Sequence, residues 1–271
     1  MTQIRPAAVA GAFYPGQAEA LSKEINILLA EVAGTTSLPS KSPKAMIVPH
    51  AGYIYSGPVA ASAYALLQPV RNIIKRVILL GPVHRVPVRG LATPEADAFA
   101  TPLGVVKVDQ RAIAAIASLP QVVESAAAHA LEHSLEVQLP FLQSVLTDFQ
   151  LVPLAVGDAT PAEVAEVLDA LWGGPETLIL ISSDLSHFLP YQTAQAVDGE
   201  TAQSILNLHG PLTHEQACGG TPVNGLILAA KRHHLRPQLL DLRNSGDTAG
   251  DKSRVVGYAS FAFTEETIDV H

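Results

Sequence analysis

Four histidines, three acidic side chains and the only cysteine of this chain sit in short polar clusters. His50 lies in Pro49-His50-Ala51-Gly52-Tyr53, His84 in Gly81-Pro82-Val83-His84, and Cys218 in Cys218-Gly219-Gly220. His133 shares Glu132-His133-Ser134-Leu135-Glu136 with its acids, and Asp184 shares Ser182-Ser183-Asp184-Leu185-Ser186-His187 with His187. Imidazole nitrogens bind divalent first-row metals, and two of them need one further anionic ligand to complete a facial triad. Cys218 could supply that ligand as a thiolate, and Asp184 or Glu136 could supply it as a carboxylate. His133 with Glu136, and Asp184 with His187, stand at i and i+3, a spacing that puts both side chains on one helical face. An acid beside an imidazole fixes its tautomer and raises its basicity, which suits a pair that moves protons. The competing reading of each residue is ordinary packing: a hydrogen-bonded core histidine, an inert buried thiol, or tyrosines that only fill space.

These groups can act together only if the chain brings them to one place. Lys44 to Val48, Val77 to Leu80 and Leu178 to Ile181 are apolar runs of buried-strand type, and each leads directly into a polar cluster. The carboxyl ends of parallel strands in a helix-covered sheet open onto one crevice, so groups carried by separate strands converge there. Glycines 52 and 57 bound the segment that carries Tyr53 and Tyr55, and a tight loop is expected over Ala51 to Ser56 before a helix from Pro58 to Leu67. Helical periodicity predicts further helices over Ala18 to Val32, Glu132 to Leu146, Pro161 to Trp172 and Pro222 to His233. Gln150 to Val156 reads as another strand, and Val255 to Phe263 as a half-exposed antiparallel strand at the sheet edge. Thr221 and Pro222 would cap and open the helix after Cys218, whose positive end would lower the thiol pKa. The pattern describes one α/β domain over residues 1–271, with a mostly parallel central sheet flanked by helices.

Composition narrows the partners. The 271 residues are 48% hydrophobic and 15% charged, with a formal net charge of −8, so the chain offers no nucleic-acid surface. No apolar run reaches the ~20 residues of a membrane helix, so no membrane partner is expected. A single cysteine excludes an internal disulfide and fits a reducing, cytoplasmic setting.

Five motifs in order resemble the Memo family, which includes the bacterial and archaeal proteins called component B of the AmmeMemoRadiSam system. They are the arm Arg5-Pro6-Ala7-Ala8-Val9-Ala10-Gly11-Ala12-Phe13-Tyr14-Pro15, Pro49 to Gly57, Leu80 to His84, Glu132 to Pro140, and Ser182 to His187. The resemblance implies a fold like that of the class III extradiol dioxygenases, which use non-haem Fe(II). In that comparison His50 and His84 match the two histidine ligands, and His187 matches the acid/base histidine. Cys218 falls where Memo proteins carry a cysteine in place of the dioxygenases' glutamate ligand. A thiolate favours softer metals and is itself oxidisable, so ring cleavage does not carry over. The expectation is a metal-dependent redox protein of unknown substrate. His50, His84 and Cys218 would hold Fe(II), with copper or zinc as alternatives, and Asp184 and His187 would manage protons. Asp184 is expected to orient a neighbouring histidine rather than ligate. Tyr53, His133 and Glu136 would line a pocket for a small-molecule or peptide ligand, with functional partners in the AmmeMemoRadiSam system. Two other readings stand beside it: an inactive dioxygenase-fold module that binds a peptide or small anion, and a metal-handling protein that limits metal-driven oxidation.

Overall fold

The computed structural model describes residues 2–33 and 42–265. Its strands are β1 (Ile4–Arg5), β2 (Ala45–Val48), β3 (Arg76–Pro82), β4 (Leu91–Thr93), β5 (Ala98–Thr101), β6 (Gly104–Lys107), β7 (Val122–Glu124), β8 (Gln150–Val156), β9 (Thr177–Ser182), β10 (His187–Leu189), β11 (Leu235–Asn244) and β12 (Val255–Glu265). The apolar runs β2, β9, β3 and β8 form the parallel centre of a nine-stranded sheet in that spatial order. Ile47, Ile181, Leu80 and Leu154 stand in one register row across the four strands. All four are essentially inaccessible, as continuous apolar strands covered on both faces must be. The carboxyl ends just beyond that row deliver His50, Asp184 and His84 to one edge of the sheet.

Antiparallel strands close the sheet on both sides, which makes it mixed. β12 pairs antiparallel with β2, as its direction suggested, but it is neither an edge nor half exposed. Residues on both of its faces are apolar (Phe261 and Phe263 on one, Tyr258 and Ala262 on the other), β11 pairs along most of its length, and β10 pairs at its start. A smaller sheet, β1-β5-β6, ties the N-terminal arm to the segment after β4.

Two helices depart from the sequence reading, and both departures shape the site. A helix occupies Tyr53–Tyr64, so Tyr53 and Tyr55 lie in its first turn rather than in a loop. Pro58 is tolerated within it, early in the helix where the displaced Ile54 segment faces solvent. Gly57 allows this helix to seat against the helix Ala18–Val32, because a Cβ there would stand 2.9 Å from Leu28 Cδ1. The expected Glu132 to Leu146 helix is instead two pieces, His133–Glu136 and Leu139–Val145. Pro140 lacks an N–H and its ring opposes the carbonyl four residues back, that of Glu136, which breaks the helix there. The first piece packs against β3 at Gly81, where a Cβ would meet Ser134 Oγ at 2.7 Å.

Candidate metal centre

His50, His84 and His133 converge at the carboxyl edge of the sheet, each offering one ligating atom within 4.8 Å of the others. Their ring centroids are separated by 5.2 Å (His50 and His84), 5.5 Å (His50 and His133) and 4.5 Å (His84 and His133). Donor and acceptor accounting settles the tautomer of the buried His50. Ser182 Oγ donates its one proton to the Ser134 carbonyl at 2.6 Å and accepts from Gln138 Nε2 at 2.8 Å. Its contact with His50 Nδ1 at 2.9 Å is therefore an acceptance too, so Nδ1 carries the proton and Nε2 keeps a bare lone pair.

Glu132 does the same for His84 and lies beside His133. Its Oε1 accepts from His84 Nδ1 at 2.8 Å and lies 3.4 Å from His133 Nδ1. The backbone N–H groups of His84 and Ser134 also donate to this carboxylate, at 2.6 and 2.9 Å. Burial alone would raise its pKa, but the His84 hydrogen bond and charge and these two N–H groups outweigh it, holding the carboxyl at about 2. His50 and His84 are thus anchored through Nδ1, and His133 Nδ1 lies near the same carboxylate that holds His84. Burial pushes His50 well below the ordinary histidine range, and His133 falls for the same reason with His84 adding to it. Both shifts favour the neutral ring, the form that ligates, in His50 and His133. Glu132 was read from sequence only as the start of its helix. Its signal was the acid directly before His133, in a segment that β3 must meet.

Cys218 reaches the same place from the far side. Its Sγ lies 3.3 Å from His50 Nε2 and accepts the backbone N–H of Asp184 at 3.3 Å. The helix Gly220–Arg232 begins just after it, yet the thiol is not acidified as its position before a helix suggested. Burial, with the Asp184 carboxylate adding to it, pushes the thiol up to about 12, because desolvation exceeds what a helix terminus supplies. Asp184 is buried and accepts the backbone N–H of His50 at 2.7 Å, fixing the turn that carries that ring. Burial raises its pKa.

A cavity of about 540 Å³ opens over the cluster, with His50, His84, His133, Asp184 and His187 in its wall. A second of about 670 Å³ meets it at His84 and is lined by Cys218. Tyr53 and Glu136, expected in the pocket, lie behind it. The Tyr53 hydroxyl donates to the Val137 carbonyl at 2.8 Å, and its ring packs on Phe141. Glu136 is fully buried and ion-paired with Arg5, and it accepts from Ala8 N, Val9 N and the Tyr14 hydroxyl at 2.8, 3.0 and 2.5 Å. It binds the N-terminal arm, which in turn sets Phe13 against His133 at 4.8 Å.

Fold and donors together define an α/β protein with three clustered histidines that could hold a metal ion, two just past strand ends and one at the start of a short helix. The chain belongs to the Memo family: the family model described as Memo-like protein matches residues 5–262. A MEMO1 family protein of Ignicoccus hospitalis is 38% identical, over 96% of this chain and 98% of that protein. Those of Metallosphaera sedula and Aquifex aeolicus are 35% and 36% identical, each over 96% of this chain and 99% of its own. Among solved structures, the uncharacterized protein JW3007 from Escherichia coli K12 has a TM-score of 0.48 and 17% identity, over 82% of this chain and 99% of that one.

Proposed function

We propose that this protein binds one first-row metal ion on His50 and His84, with Cys218 or His133 as the third donor, and uses it in redox chemistry on a ligand held in the adjoining cleft. The observation that carries this reading is the convergence of His50, His84 and His133, with Nδ1 of His50 held by Ser182 and Nδ1 of His84 held by Glu132. Such anchoring carboxylates and hydroxyls are what orient metal-ligating histidines. Fe(II) suits this donor set, and copper or zinc would gain most from the thiolate. When bound, the ion supplies one-electron chemistry or a polarising charge.

The chain's own residues do the rest. Glu132 and Ser182 hold the rings, and Asp184 fixes the His50 turn. His187, in the cavity wall with Asp184, is placed to exchange a proton with a ligand there. Cys218 would release its proton on joining the ion, which makes uptake pH-dependent. The ligand is a small molecule or peptide, and functional partners lie in the AmmeMemoRadiSam system. The metal-free site is also self-consistent, since the Cys218 thiol can donate to His50 Nε2. That supports a second reading, a metal-free binding module.

Metal analysis after anaerobic purification separates the two. One ion per chain in the wild type, lost in His84→Ala, is expected. No ion above background in the wild type, after incubation with Fe(II), Cu(I) and Zn(II) in turn, would leave the binding module.

A further inference from the structure

The rim of the cleft carries two groups that fold stability does not explain. Phe188 is 60% exposed and has a φ of 60°, a left-handed backbone that bulky L-residues avoid. It occupies the register shift between β10 and β12, the kind of bulge position at which glycine is usual. Glycine would remove the strain and a polar residue would be better solvated. A large ring here is unfavourable on both counts, yet it lines the cavity over the histidines. Arg254 lies across it, with the guanidinium carbon 5.1 Å from the ring centroid. Among the described residues no carboxylate pairs with Arg254. Asp251, on the same loop, accepts instead from Ser253 N at 2.6 Å. A guanidinium stacked on a ring keeps its N–H edge available for a two-point contact.

From this we infer that the cleft's ligand is a small planar carboxylate, its conjugated plane against Phe188 and its carboxylate forked by Arg254. The inference rests on the reading of the cleft as a ligand site and adds the ligand's class. A single arginine matches one monoanionic group. Asp184 and Asp251 in the same wall oppose a dianion, and the net charge of −8 opposes a polyanion. The volume suits a ligand of this size.

Three probes test it by calorimetric titration of the full chain: benzoate, the neutral benzamide and the non-planar cyclohexanecarboxylate. Each is run on Zn(II)-loaded and chelator-treated protein whose ion content is measured in parallel. Benzoate is expected to bind about tenfold more tightly than either analogue. Arg254→Gln should erase the preference over benzamide alone. Phe188→Leu and Phe188→Gly should both erase the preference over cyclohexanecarboxylate, and Phe188→Gly should also melt at a higher temperature. Absent benzoate binding, equal binding of the three probes, or preferences that survive these substitutions would overturn the inference. An Arg254-dependent preference in protein that takes up no ion would refute the metal reading alone. Bound ion without the preference would refute the planar carboxylate alone.

Discussion

Glu132 is the residue on which the histidine cluster depends most, because one carboxylate holds the His84 ring and backbone and lies beside His133. Glu132→Gln keeps the shape but loses the charge that favours donation from Nδ1. It should weaken metal binding about 10- to 100-fold in a chelator competition. Ser182→Ala should act in the same direction through His50 alone. Cys218 discriminates between the two third-donor arrangements. If it ligates, Cys218→Ser lowers metal content sharply, and alkylation of the wild-type thiol becomes fast only after a chelator is added. If His133 completes the set, Cys218→Ser retains the ion, His133→Ala loses it, and alkylation ignores the chelator. The convergence of His50 and His84 was legible because each follows an apolar strand, whereas His133, expected only to line the pocket, joins them from a helix start. Glu132 was not legible, because its function depends on a contact with β3 that no local spacing encodes. Glu136 misled for the same reason: its i, i+3 relation to His133 is real, but Pro140 ends the helix and the arm claims the carboxylate.

At the scale of elements, close packing of backbone against backbone sets the site. Gly81→Ala would drive a Cβ into Ser134 Oγ and push the Glu132 segment off β3. It should cost about 1–3 kcal/mol in denaturant unfolding and weaken metal binding, although it touches no donor. The arm is a second such element. Glu136→Gln leaves the buried Arg5 charge without its partner and should destabilise by about 3–5 kcal/mol. A thermal melt reads this directly, and proteolysis should then begin within the arm. The parallel strands and the helices after them were readable from apolar runs and periodicity. Element ends were not: Tyr53 begins its helix earlier than Pro58 suggested, and β12 is no edge strand because β11, the strand just before it in the chain, pairs along it.

For the molecule as a whole, buried neutral imidazoles set the response to acid. His129 is buried with Nε2 on the Ala92 carbonyl at 2.8 Å, and burial lowers its pKa from 6.5 to about 4. Between those values the unfolded chain binds the proton that the folded chain refuses. Stability is therefore fully present above pH 6.5 and falls as pH drops toward about 4, by up to about 3 kcal/mol from this residue. Denaturant unfolding across that range should show the slope, and His129→Gln, which can still donate to Ala92, should flatten it.

The strand order also has a consequence for synthesis. β2 and β3 leave the ribosome in succession but are not neighbours, because β9 lies between them. His50 and His84 can take their places only after Ser182 has emerged and that strand has inserted. At ~5–20 residues per second, this leaves a window of roughly 2–10 s in which the nascent chain carries all three imidazoles with no preformed site. Chains stalled before Thr177 should therefore fail to retain an ion that chains stalled well beyond Cys218 capture, so metallation awaits the insertion of β9.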